Sequence, residues 1–297
     1  MRARNWRQYN KALVQRGSLT FLIDQKNFKS LFPKKQKRRG RPLEFSNGLI
    51  ELLLMIKIHY RLTYRSLEGF TKSIFALMRS SLMMPTYSLT CKRAKALHAH
   101  LPKLSSRRPS PIIVDATGIK VLGEGEWKVK IHGKGRPRKW IKLHIAIDAN
   151  TQEIVAEVST ESSATDGSTF PVVFGQIQHR VRTVIGDGAY DGREIRQTVR
   201  DRGGRSLVPP PKHTVCWGDD PDRDRAVRDI RALGGDLVAK SIWGKFTGYS
   251  RRALVETTFS RYKKLSEERA FSRTYERQMV ENRLKCVLLN KMIRATA

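Results

Sequence analysis

The sequence predicts an all-α N-terminal region followed by an α/β domain with a mixed sheet flanked by helices. Apolar residues recur at helical spacing from Phe45 to Leu101. Beyond the Ser-, Arg- and Pro-rich segment 101–111 they alternate at strand spacing, and helix-like stretches follow between the strands. The predicted parts are a basic arm at 1–42, a helical domain at 43–103 and an α/β domain at 111–297.

The charge of the chain predicts a polyanionic partner. Its 297 residues include 58 Lys+Arg and 27 Asp+Glu, which give a net charge of +31 and a pI of about 10.6. This excess is far larger than solubility requires. The simplest polyanion that it matches is double-stranded DNA.

The apolar runs argue against the membrane and secretory classes of protein. The longest run, 49–56, already contains Glu51 and falls short of the roughly 18 residues that a spanning helix needs. Residues 1–15 contain no apolar core of a signal peptide. The three cysteines are far apart and form no CxxC pair, so we expect reduced thiols and no zinc site. These patterns predict a cytoplasmic protein with no membrane partner.

The basic arm contains a short motif of the kind that enters DNA grooves. Residues 1–41 are rich in Lys and Arg, contain a single acid, Asp24, and lead into the series RGRP. Arg39 and Arg41 in this series resemble the core of an AT-hook, where an extended Arg-Gly-Arg enters a narrow minor groove. A linker that contacts phosphates without reading sequence is the alternative.

Three helices are predicted between the arm and the segment 101–111. Ser46, Thr63 and Ser88 are their predicted N-caps, and the first helix is apolar enough to be buried on all sides. The short break between the first two helices, and the basic Lys92 and Arg93 early in the third, are compatible with a helix-turn-helix module that binds DNA. A generic helical bundle is equally compatible with the pattern.

Strands dominate the first half of the predicted α/β domain. The apolar run after Pro111 leads to Asp115, and the alternating stretches that follow are joined by turns. This pattern predicts an antiparallel meander. A later buried strand ends on Asp187, and a last one is stopped by Pro209. The predicted strands are 111–121, 126–133, 140–148, 153–161, 182–188 and 205–208.

Helices are predicted between and after these strands. One follows the meander and is capped by Asp166. A second begins with a capping box formed by Asp191 and Glu194, which makes Asp191 a cap rather than a ligand. The charged segment 212–247 is predicted to be an irregular insertion or a helical excursion. An amphipathic helix at 275–293, packed on the core or on a partner, closes the chain.

A charged stripe is predicted on the helix that starts at Tyr249. If this segment is helical, Arg252, Glu256 and Lys263 lie with Tyr249 inside an arc of about 60° around the axis. An amphipathic helix normally turns apolar residues toward the core, so a stripe of this kind suits a helix that lines a polar site. The alternative is a solvated, salt-bridged helix face.

Two aspartates are predicted at strand ends, where Glu256 can join them. The order of elements is that of a ribonuclease-H-like domain, and right-handed crossovers would place the strand of Asp187 beside and parallel to that of Asp115. Carboxylate oxygens suit hard cations, and two Mg²⁺ ions suit phosphodiester chemistry because one activates the attacking oxygen and the other stabilises the leaving oxygen. Each aspartate taken alone is also explained as a turn residue.

These residues resemble a known family. The series Tyr249-(2)-Arg252-(3)-Glu256-(6)-Lys263 matches the Y-R-E-K signature of bacterial insertion-sequence transposases of the DDE class. The stretches VDATGIKV, RKWIKLHIAID, GDGAYD and FSRTYERQMVENRLKCVLLNKM are similar to the group founded on insertion sequence five. The resemblance runs from about Arg39 to the C terminus.

The resemblance implies a role for each group of residues. The three carboxylates would bind two Mg²⁺ ions, with Mn²⁺ as a substitute, and Tyr249, Arg252 and Lys263 would contact phosphates of the cleaved DNA end. The family hydrolyses DNA at the ends of its element and releases a 3′-hydroxyl that attacks target DNA. The N-terminal helices would recognise the terminal inverted repeats. His132, Lys142 and His144 fall in family-like positions, where they would contact DNA or serve the structure alone.

The leading hypothesis is therefore a DNA transposase that acts as at least a dimer on DNA, at the nucleoid in a bacterial cytoplasm. One alternative is a non-catalytic DNA-binding repressor, which the intact triad disfavours. Another is a metal-dependent nuclease of the same fold that cuts without joining. Short inverted repeats in the DNA flanking the gene would separate a transposase from both alternatives.

Overall fold

The computed structural model describes residues 5–18, 22, 31–33, 44–77, 79, 83–97, 101, 109–121 and 140–295. The chain divides into two compact units, one made of Met1–His100 with Leu265–Ala297 and the other of Leu101–Lys264. Three predicted features lie outside the described residues, namely the arm residues Arg39 and Arg41 and the strand 126–133 with His132. No helix among the described residues is both long and apolar enough to cross a membrane.

The first unit is helical. The first of the three predicted helices is α2 (Asn47–His59), and it is buried as the sequence predicted, because six of its residues between Ile50 and Ile56 are buried. The predicted caps of two helices are also confirmed. Ser46 Oγ accepts a hydrogen bond from Leu49 N at 3.0 Å, and Thr63 Oγ1 accepts one from Ser66 N at 3.1 Å. The elements of this unit are α1 (Trp6–Gln15), α2 (Asn47–His59), α3 (Tyr64–Leu77), α4 (Tyr87–Ala94), the short strand β6 (Arg269–Ala270) and α10 (Tyr275–Arg294).

Helix α4 begins two residues earlier than predicted. Thr86 has the extended backbone of an N-cap, and its Oγ1 accepts a hydrogen bond from Leu89 N at 3.3 Å. The prediction that Ser88 is the cap was wrong, because Ser88 already lies in the first helical turn, and α4 ends at Ala94 instead of continuing to Leu101. The assignment of these helices to a helix-turn-helix DNA-binding module stays a prediction.

The C-terminal helix α10 is confirmed and packs against α2 inside the first unit. It buries an ion pair as well as apolar residues. Lys285 Nζ lies 2.6 Å from Glu281 Oε1, and the Glu281 carboxylate also accepts hydrogen bonds from Phe271 N and Ser272 N. A buried charge pair of this kind is tolerated because each group has further hydrogen-bond partners.

The second unit is built on a mixed sheet, as predicted. Strands β1, β2 and β3 form an antiparallel meander, and β1 also pairs with β4, and β4 with β5, in parallel. The order along the sheet is β3-β2-β1-β4-β5. The strands are β1 (Ser110–Val121), β2 (Trp140–Asp148), β3 (Ile154–Glu161), β4 (Val181–Ile185) and β5 (Arg205–Leu207).

Helices cover this sheet and bury its apolar side chains. Helix α5 packs on β2 and β3, and helices α6 and α7 pack on β5. Phe170 and Phe174 of α5 stack with ring centroids 5.1 Å apart in a core that includes Val114 and Val184 from the sheet. The helices are α5 (Asp166–Gly175), α6 (Arg193–Asp201), α7 (Pro221–Ala232), α8 (Leu237–Thr247) and α9 (Ala253–Ser266), with single 3₁₀ turns at Gly188–Tyr190 and Tyr249–Arg252.

The segment 212–247, predicted to be irregular or a helical excursion, is largely helical. Asp220 caps α7 by accepting from Arg223 N at 3.0 Å, and Asp236 caps α8 by accepting from Ala239 N at 2.7 Å. The irregular interpretation was wrong for a physical reason. Charged residues such as Arg223 take buried positions on α7, so its buried face does not show as an apolar stripe in the sequence.

Two predicted caps in this unit were also wrong. Helix α5 is capped by Thr165, whose Oγ1 accepts from Ser168 N at 3.2 Å, and Asp166 is the first residue of the helix. Helix α6 follows Gly192, so Asp191 and Glu194 do not form the predicted capping box. Asp191 instead binds arginines that are buried with it.

Asp191 belongs to a buried ion-pair network that joins α7 to α6. Its Oδ1 accepts from Arg196 Nε at 2.8 Å, and its Oδ2 lies 3.1 Å from Arg223 Nε. Asp220, the cap of α7, pairs with Arg200 of α6. We call Asp191, Arg196, Arg223 and Asp220 the buried network. Its ion pairs join α7 to α6 and to the turn that holds Asp191.

Candidate active site

The two predicted aspartates occupy equivalent positions on neighbouring parallel strands. The register pairs Ile113 of β1 with Ile185 of β4. Asp115 and Asp187 each follow these paired residues by two positions. Parallel pairing therefore carries both carboxylates in the same direction beyond the last paired residues. Asp115 Oδ1 accepts a hydrogen bond from Ala116 N at 2.8 Å, and its Oδ2 remains for another partner.

A tight turn after β4 holds Asp187. Its Oδ1 accepts a hydrogen bond from Ala189 N at 2.9 Å, which caps the 3₁₀ turn Gly188–Tyr190. The preceding Gly186 is required by space, because a Cβ there would lie 2.9 Å from Cδ2 of Tyr190. In the GDGAY series, Gly186 leaves room for the buried Tyr190 ring, and the turn that results lets Ala189 N hold the Asp187 carboxylate.

The residues Tyr249 and Arg252 lie on a 3₁₀ turn rather than on the predicted α-helix. Helix α8 ends at Gly248, whose φ of 80° is left-handed, and the 3₁₀ turn Tyr249–Arg252 starts directly after it. The α-helix α9 begins only at Ala253. The Tyr249 ring packs on Trp243 of α8 with centroids 5.5 Å apart. The predicted stripe therefore begins in a tighter turn, and Glu256 and Lys263 follow on α9.

Arg252 joins two of the three carboxylates. Its Nη1 donates to Asp115 Oδ2 at 3.0 Å, and its Nη2 donates to Glu256 Oε1 at 2.6 Å. The side chains of Arg252 and Asp115 are 27% and 17% exposed, whereas that of Glu256 is 60% exposed. One guanidinium thus links a carboxylate from the sheet to a carboxylate from α9, at the margin of the protein.

The electrostatics show that the three carboxylates share one neighbourhood. Burial raises the pKa of Asp115, and the nearby charge of Asp187 raises it further, while Arg252 opposes both effects. Burial also raises the pKa of the Tyr249 phenol, and the charges of Asp187, Asp115 and Glu256 all add to that shift. We call Asp115, Asp187, Glu256 and Arg252 the open cluster.

A fourth carboxylate, Asp166, was not predicted to belong to this region. Its Oδ1 lies 3.0 Å from Lys142 Nζ and 3.2 Å from His144 Nδ1, although the histidine contact is not aligned as a hydrogen bond. Asp166 also raises the pKa of Asp115. Burial lowers the pKa of His144, whose Nε2 lies 2.9 Å from Thr160 Oγ1. The sequence signal was an aspartate five residues after the last strand of the meander, at the start of a helix, where it is equally typical of a helix cap.

The other predicted site residues have varied surroundings. Lys263 is half-buried on α9, and Lys142 lies on β2 beside Asp166. In the first unit, Lys92 is exposed, whereas Arg93 donates to Phe45 O and to Asn47 Oδ1 at the start of α2. These two contacts of Arg93 stabilise the helical unit. A DNA-binding role for any of these residues stays a prediction.

The carboxylates of Asp115, Asp187 and Glu256 are suitable ligands for a metal ion, but two of them are bound to Arg252 in this arrangement. Carboxylate oxygens are the ligands that Mg²⁺ prefers. Among the described residues, however, no three His, Cys, Asp or Glu side chains are gathered so that they could hold an ion. Arg252 takes an oxygen of Asp115 and an oxygen of Glu256. In this conformation the Arg252 guanidinium offsets part of the negative charge of the two carboxylates.

Comparison with known proteins identifies the family. Residues 106–291 match a family model described as a transposase DDE domain, which covers more than half of the chain. The chain belongs to the DDE transposase family. A second model with the same description matches residues 14–124. The DDE match covers Asp115, Asp187 and Glu256.

Individual relatives of this DDE transposase are distant. An uncharacterized protein of Aquifex aeolicus (strain VF5) is 24% identical over an alignment of 230 residues. The alignment covers 70% of this chain and 66% of the relative, so the chain spans just under two thirds of that protein. Three solved structures are similar at low TM-scores. The simian T-cell lymphotropic virus intasome in complex with PP2A regulatory subunit B56 gamma is 13% identical over 58% of each chain, with a TM-score of 0.25. The piggyBac transposase synaptic complex with hairpin DNA is 8% identical over 93% of this chain and 71% of that chain, with a TM-score of 0.40. The Mos1 strand transfer complex is 11% identical over 78% of this chain and 80% of that chain, with a TM-score of 0.24.

Proposed function

We propose that this chain is a DNA transposase of the insertion-sequence-five group, with Tyr249, Arg252, Glu256 and Lys263 as its Y-R-E-K series. It binds the terminal inverted repeats of an insertion sequence, hydrolyses the DNA at those ends and joins the released 3′-hydroxyl to target DNA. Membership of the DDE transposase family supports the reaction class. The net charge of +31 supports a DNA substrate.

One observation carries the proposal beyond the family. Asp115, Asp187 and Glu256 are distant in the sequence, yet the charges of all three act on Tyr249. The strands β1 and β4 that precede the two aspartates pair in parallel, and Arg252 contacts both Asp115 and Glu256. The strand order β3-β2-β1-β4-β5, a meander followed by parallel strands, supports a ribonuclease-H-like domain. Asp115, Asp187 and Glu256 are accordingly the proposed catalytic residues.

The chemistry of the site is divided between the carboxylates and the basic residues. DDE transposases generally use divalent metal ions, and the proposed ions here are two Mg²⁺, which Mn²⁺ can replace. When bound, such ions supply activation of the attacking oxygen and charge stabilisation at the leaving oxygen. Arg252 and Lys263 position the DNA end by donating to phosphate oxygens, and Tyr249 donates its hydroxyl to the same backbone.

The remaining proposed contacts lie outside this cluster. Two DNA ends must be held together for joining, so the proposed assembly is a homodimer on DNA, acting at the bacterial nucleoid in the cytoplasm. The N-terminal helices read the repeats, and the arm adds sequence-independent phosphate contacts. The proposed DNA contacts beyond the Y-R-E-K series are Arg39, Arg41, Lys92, Arg93, His132 and Lys142.

The test uses duplexes copied from the DNA that flanks the gene. Asp115→Asn, Asp187→Asn and Glu256→Gln should each abolish Mg²⁺-dependent cleavage, measured on labelled duplexes, while DNA binding in a gel-shift assay persists. Asp229→Asn, at an exposed position on α7, is the matched control and should cleave like the wild type. Undiminished cleavage by Glu256→Gln would remove the triad from the mechanism.

The same assay separates the alternatives. Cleavage of the flanking duplexes without transfer of the 3′-end to a second duplex would indicate a nuclease. Sequence-specific binding without cleavage by the wild-type chain would indicate a repressor. Light scattering with and without the duplex reports the assembly, and a strictly monomeric complex with two bound ends would contradict the dimer.

A further inference from the structure

Arg252 lies where a cation shared by Asp115 and Glu256 would have to bind. Its two terminal nitrogens each donate to a different carboxylate, at 3.0 Å and 2.6 Å. The planar guanidinium can do this because its donors form a rigid fork. The oxygens that it holds are among those that a divalent cation would need. The guanidinium and a divalent cation would therefore compete for these two oxygens.

We propose that Arg252 is a displaceable internal counter-cation of the open cluster: it pairs with Asp115 and Glu256 when neither metal nor DNA is bound, and moves to a DNA phosphate when a divalent cation takes those carboxylates. The inference rests on the proposed function and deepens it. It makes Arg252 a positioning residue that couples cation binding to binding of the DNA end.

The exposure of the contacts makes the exchange feasible. Arg252 and Glu256 form an i,i+4 pair near the surface, and such pairs are weak because water and salt screen them. Asp115 is less exposed, at 17%, so its ionised carboxylate gains more from a neighbouring cation than an exposed one would. A divalent ion offers more charge to the same oxygens. The guanidinium can thus be replaced without leaving a buried charge unpaired.

Charge arithmetic gives the direction in which Arg252 moves. Asp115, Asp187 and Glu256 carry three negative charges when ionised, and Arg252 compensates one of them. Two divalent cations would bring four positive charges to the same place and would repel the guanidinium. A phosphate is the partner that its fork fits next best, and it can accept two parallel hydrogen bonds. Binding of DNA at the site should then increase the affinity for the cations, and binding of the cations should increase the affinity for DNA.

Thermodynamic linkage makes this coupling measurable from either side. If a cation raises the affinity for DNA by some factor, DNA must raise the affinity for the cation by the same factor. The protein alone should bind cations weakly, because binding must first break the contacts of Arg252. Variants that cannot bridge the carboxylates should therefore bind cations more tightly than the wild type in the absence of DNA.

The first experiment measures Mn²⁺ binding to the full chain without DNA by electron paramagnetic resonance of free Mn²⁺. Arg252→Gln should bind Mn²⁺ about ten-fold more tightly than the wild type, a typical size for a coupling of this kind. Arg252→Lys keeps the charge but has no fork, and should still gain about five-fold. It therefore separates loss of the bridge from loss of the charge.

The neighbouring Arg251 provides a matched control. It donates to Ala149 O and to Asn150 Oδ1, both at 2.8 Å, and no carboxylate is among these partners. Arg251→Gln removes the same charge one residue away, and we expect less than about a two-fold change in Mn²⁺ affinity. Circular dichroism of all variants must match the wild type, and Arg252→Lys remains informative if Arg252→Gln does not fold.

The second experiment measures binding of a short blunt-ended duplex by fluorescence anisotropy, with Ca²⁺ as a probe cation and the ionic strength held constant. Ca²⁺ should raise the affinity of the wild type and of Arg251→Gln by about five- to ten-fold. In Arg252→Gln this gain should disappear. Constant ionic strength matters because screening of phosphates by salt weakens all DNA binding.

The outcomes distinguish this inference from the proposed function. Equal Mn²⁺ affinity in the wild type, Arg252→Gln and Arg252→Lys, together with carboxylate-dependent cleavage, would overturn the role of Arg252 and leave the transposase intact. A gain in Arg251→Gln as large as in Arg252→Gln would also overturn it, since charge alone would then explain the effect. Failure of every variant and of the wild type to bind Mn²⁺, with no cleavage, would overturn both.

Discussion

The second unit contains two clusters in which arginines bind carboxylates, and they differ in burial. In the buried network the side chains of Arg196, Asp191 and Arg223 are 1%, 2% and 3% exposed. In the open cluster Arg252 is 27% and Glu256 is 60% exposed. Both clusters pair arginine guanidinium groups with carboxylates. Burial therefore decides whether such a contact holds the fold together or remains available for exchange.

The partners of each guanidinium support this distinction. Arg196 Nη2 also donates to Val208 O, and Arg223 Nη1 donates to Val215 O, so both arginines are fixed by main-chain carbonyls besides their carboxylates. Among the described residues, the side chain of Arg252 donates its hydrogen bonds to two carboxylates, those of Asp115 and Glu256. A guanidinium tied to the backbone cannot leave without unfolding local structure. In the described part of the chain, Arg252 has no such main-chain contact with its two carboxylate partners, one half-buried and one exposed, so its displacement would leave the backbone hydrogen bonds intact.

The largest expected effect compares a carboxylate from each cluster. Asp191→Ala leaves two buried guanidinium groups without their shared anion and should lower the free energy of unfolding by about 3–5 kcal/mol. Glu256→Ala removes an exposed partner and should change it by no more than about 0.5 kcal/mol. Urea denaturation monitored by circular dichroism measures both. Equal losses in the two variants would break the comparison.

A smaller effect is expected at Gly186, next to the open cluster. Gly186→Ala places a Cβ about 2.9 Å from the buried Tyr190 ring, and overpacking of this kind typically costs about 1–3 kcal/mol. Gly175→Ala is the control, since a Cβ there meets no atom within 4 Å. Thermal unfolding compares the two variants. A Gly186→Ala protein as stable as the control would show that the turn before Asp187 tolerates displacement.

The buried network should also weaken in acid through Asp224, which lies 4.0 Å from Arg223. Hydrogen bonds from Trp217 N and Gly218 N lower the pKa of Asp224. A carboxyl group with a lowered pKa stabilises the fold above its unfolded pKa of about 3.9, and this contribution is lost as the pH falls through the folded value. Unfolding midpoints of Asp224→Asn should therefore fall less in acid than those of the wild type.

The control for that pH series is Asp229→Asn on the exposed face of α7. Its acid profile should follow that of the wild type. If Asp224→Asn also follows the wild-type profile, the contacts of Asp224 do not contribute to the acid sensitivity of the network.

The smallest effect is expected from Lys263→Ala. Removing one phosphate contact from the DNA-binding surface should reduce the slope of log affinity against log salt by about one unit. DNA binding measured at several salt concentrations gives that slope, with Lys245→Ala, at an exposed position on α8, as the comparison. Identical slopes in the wild type and Lys263→Ala would remove Lys263 from the phosphate contacts.

The sheet and the pairing of its aspartates were predictable because local signals agreed there. Apolar alternation gave the strands of the meander, and the crossover rule correctly placed β4 beside and parallel to β1. Asp115 and Asp187 follow directly from that register. The caps Ser46 and Thr63 were predictable for a similar reason, since each precedes a long apolar run.

The errors arose where charged residues are buried. Helix α7 carries Arg223 and Asp224 on its buried side, so its sequence lacks the apolar period that marks a helix. In the sequence, Asp191 has the spacing to Glu194 that is typical of a capping box. Its actual partners, Arg196 and Arg223, lie further along the chain and show no local pattern. The stripe from Tyr249 correctly placed Arg252 near Glu256, but no angular argument could reveal the contact with Asp115, 137 residues away. Tertiary contacts decide these features.

Gly248 is a position at which the backbone torsion before Tyr249 and Arg252 can be changed without replacing a charged or polar side chain. A Cβ at this position would meet no atom within 4 Å, so the preference for glycine comes from its φ of 80° alone. An L-residue there costs roughly 1–2 kcal/mol, whereas a D-alanine introduced by semisynthesis would suit the torsion. A series of substituents at residue 248 would therefore tilt Tyr249 and Arg252 by degrees and leave every ionisable group intact.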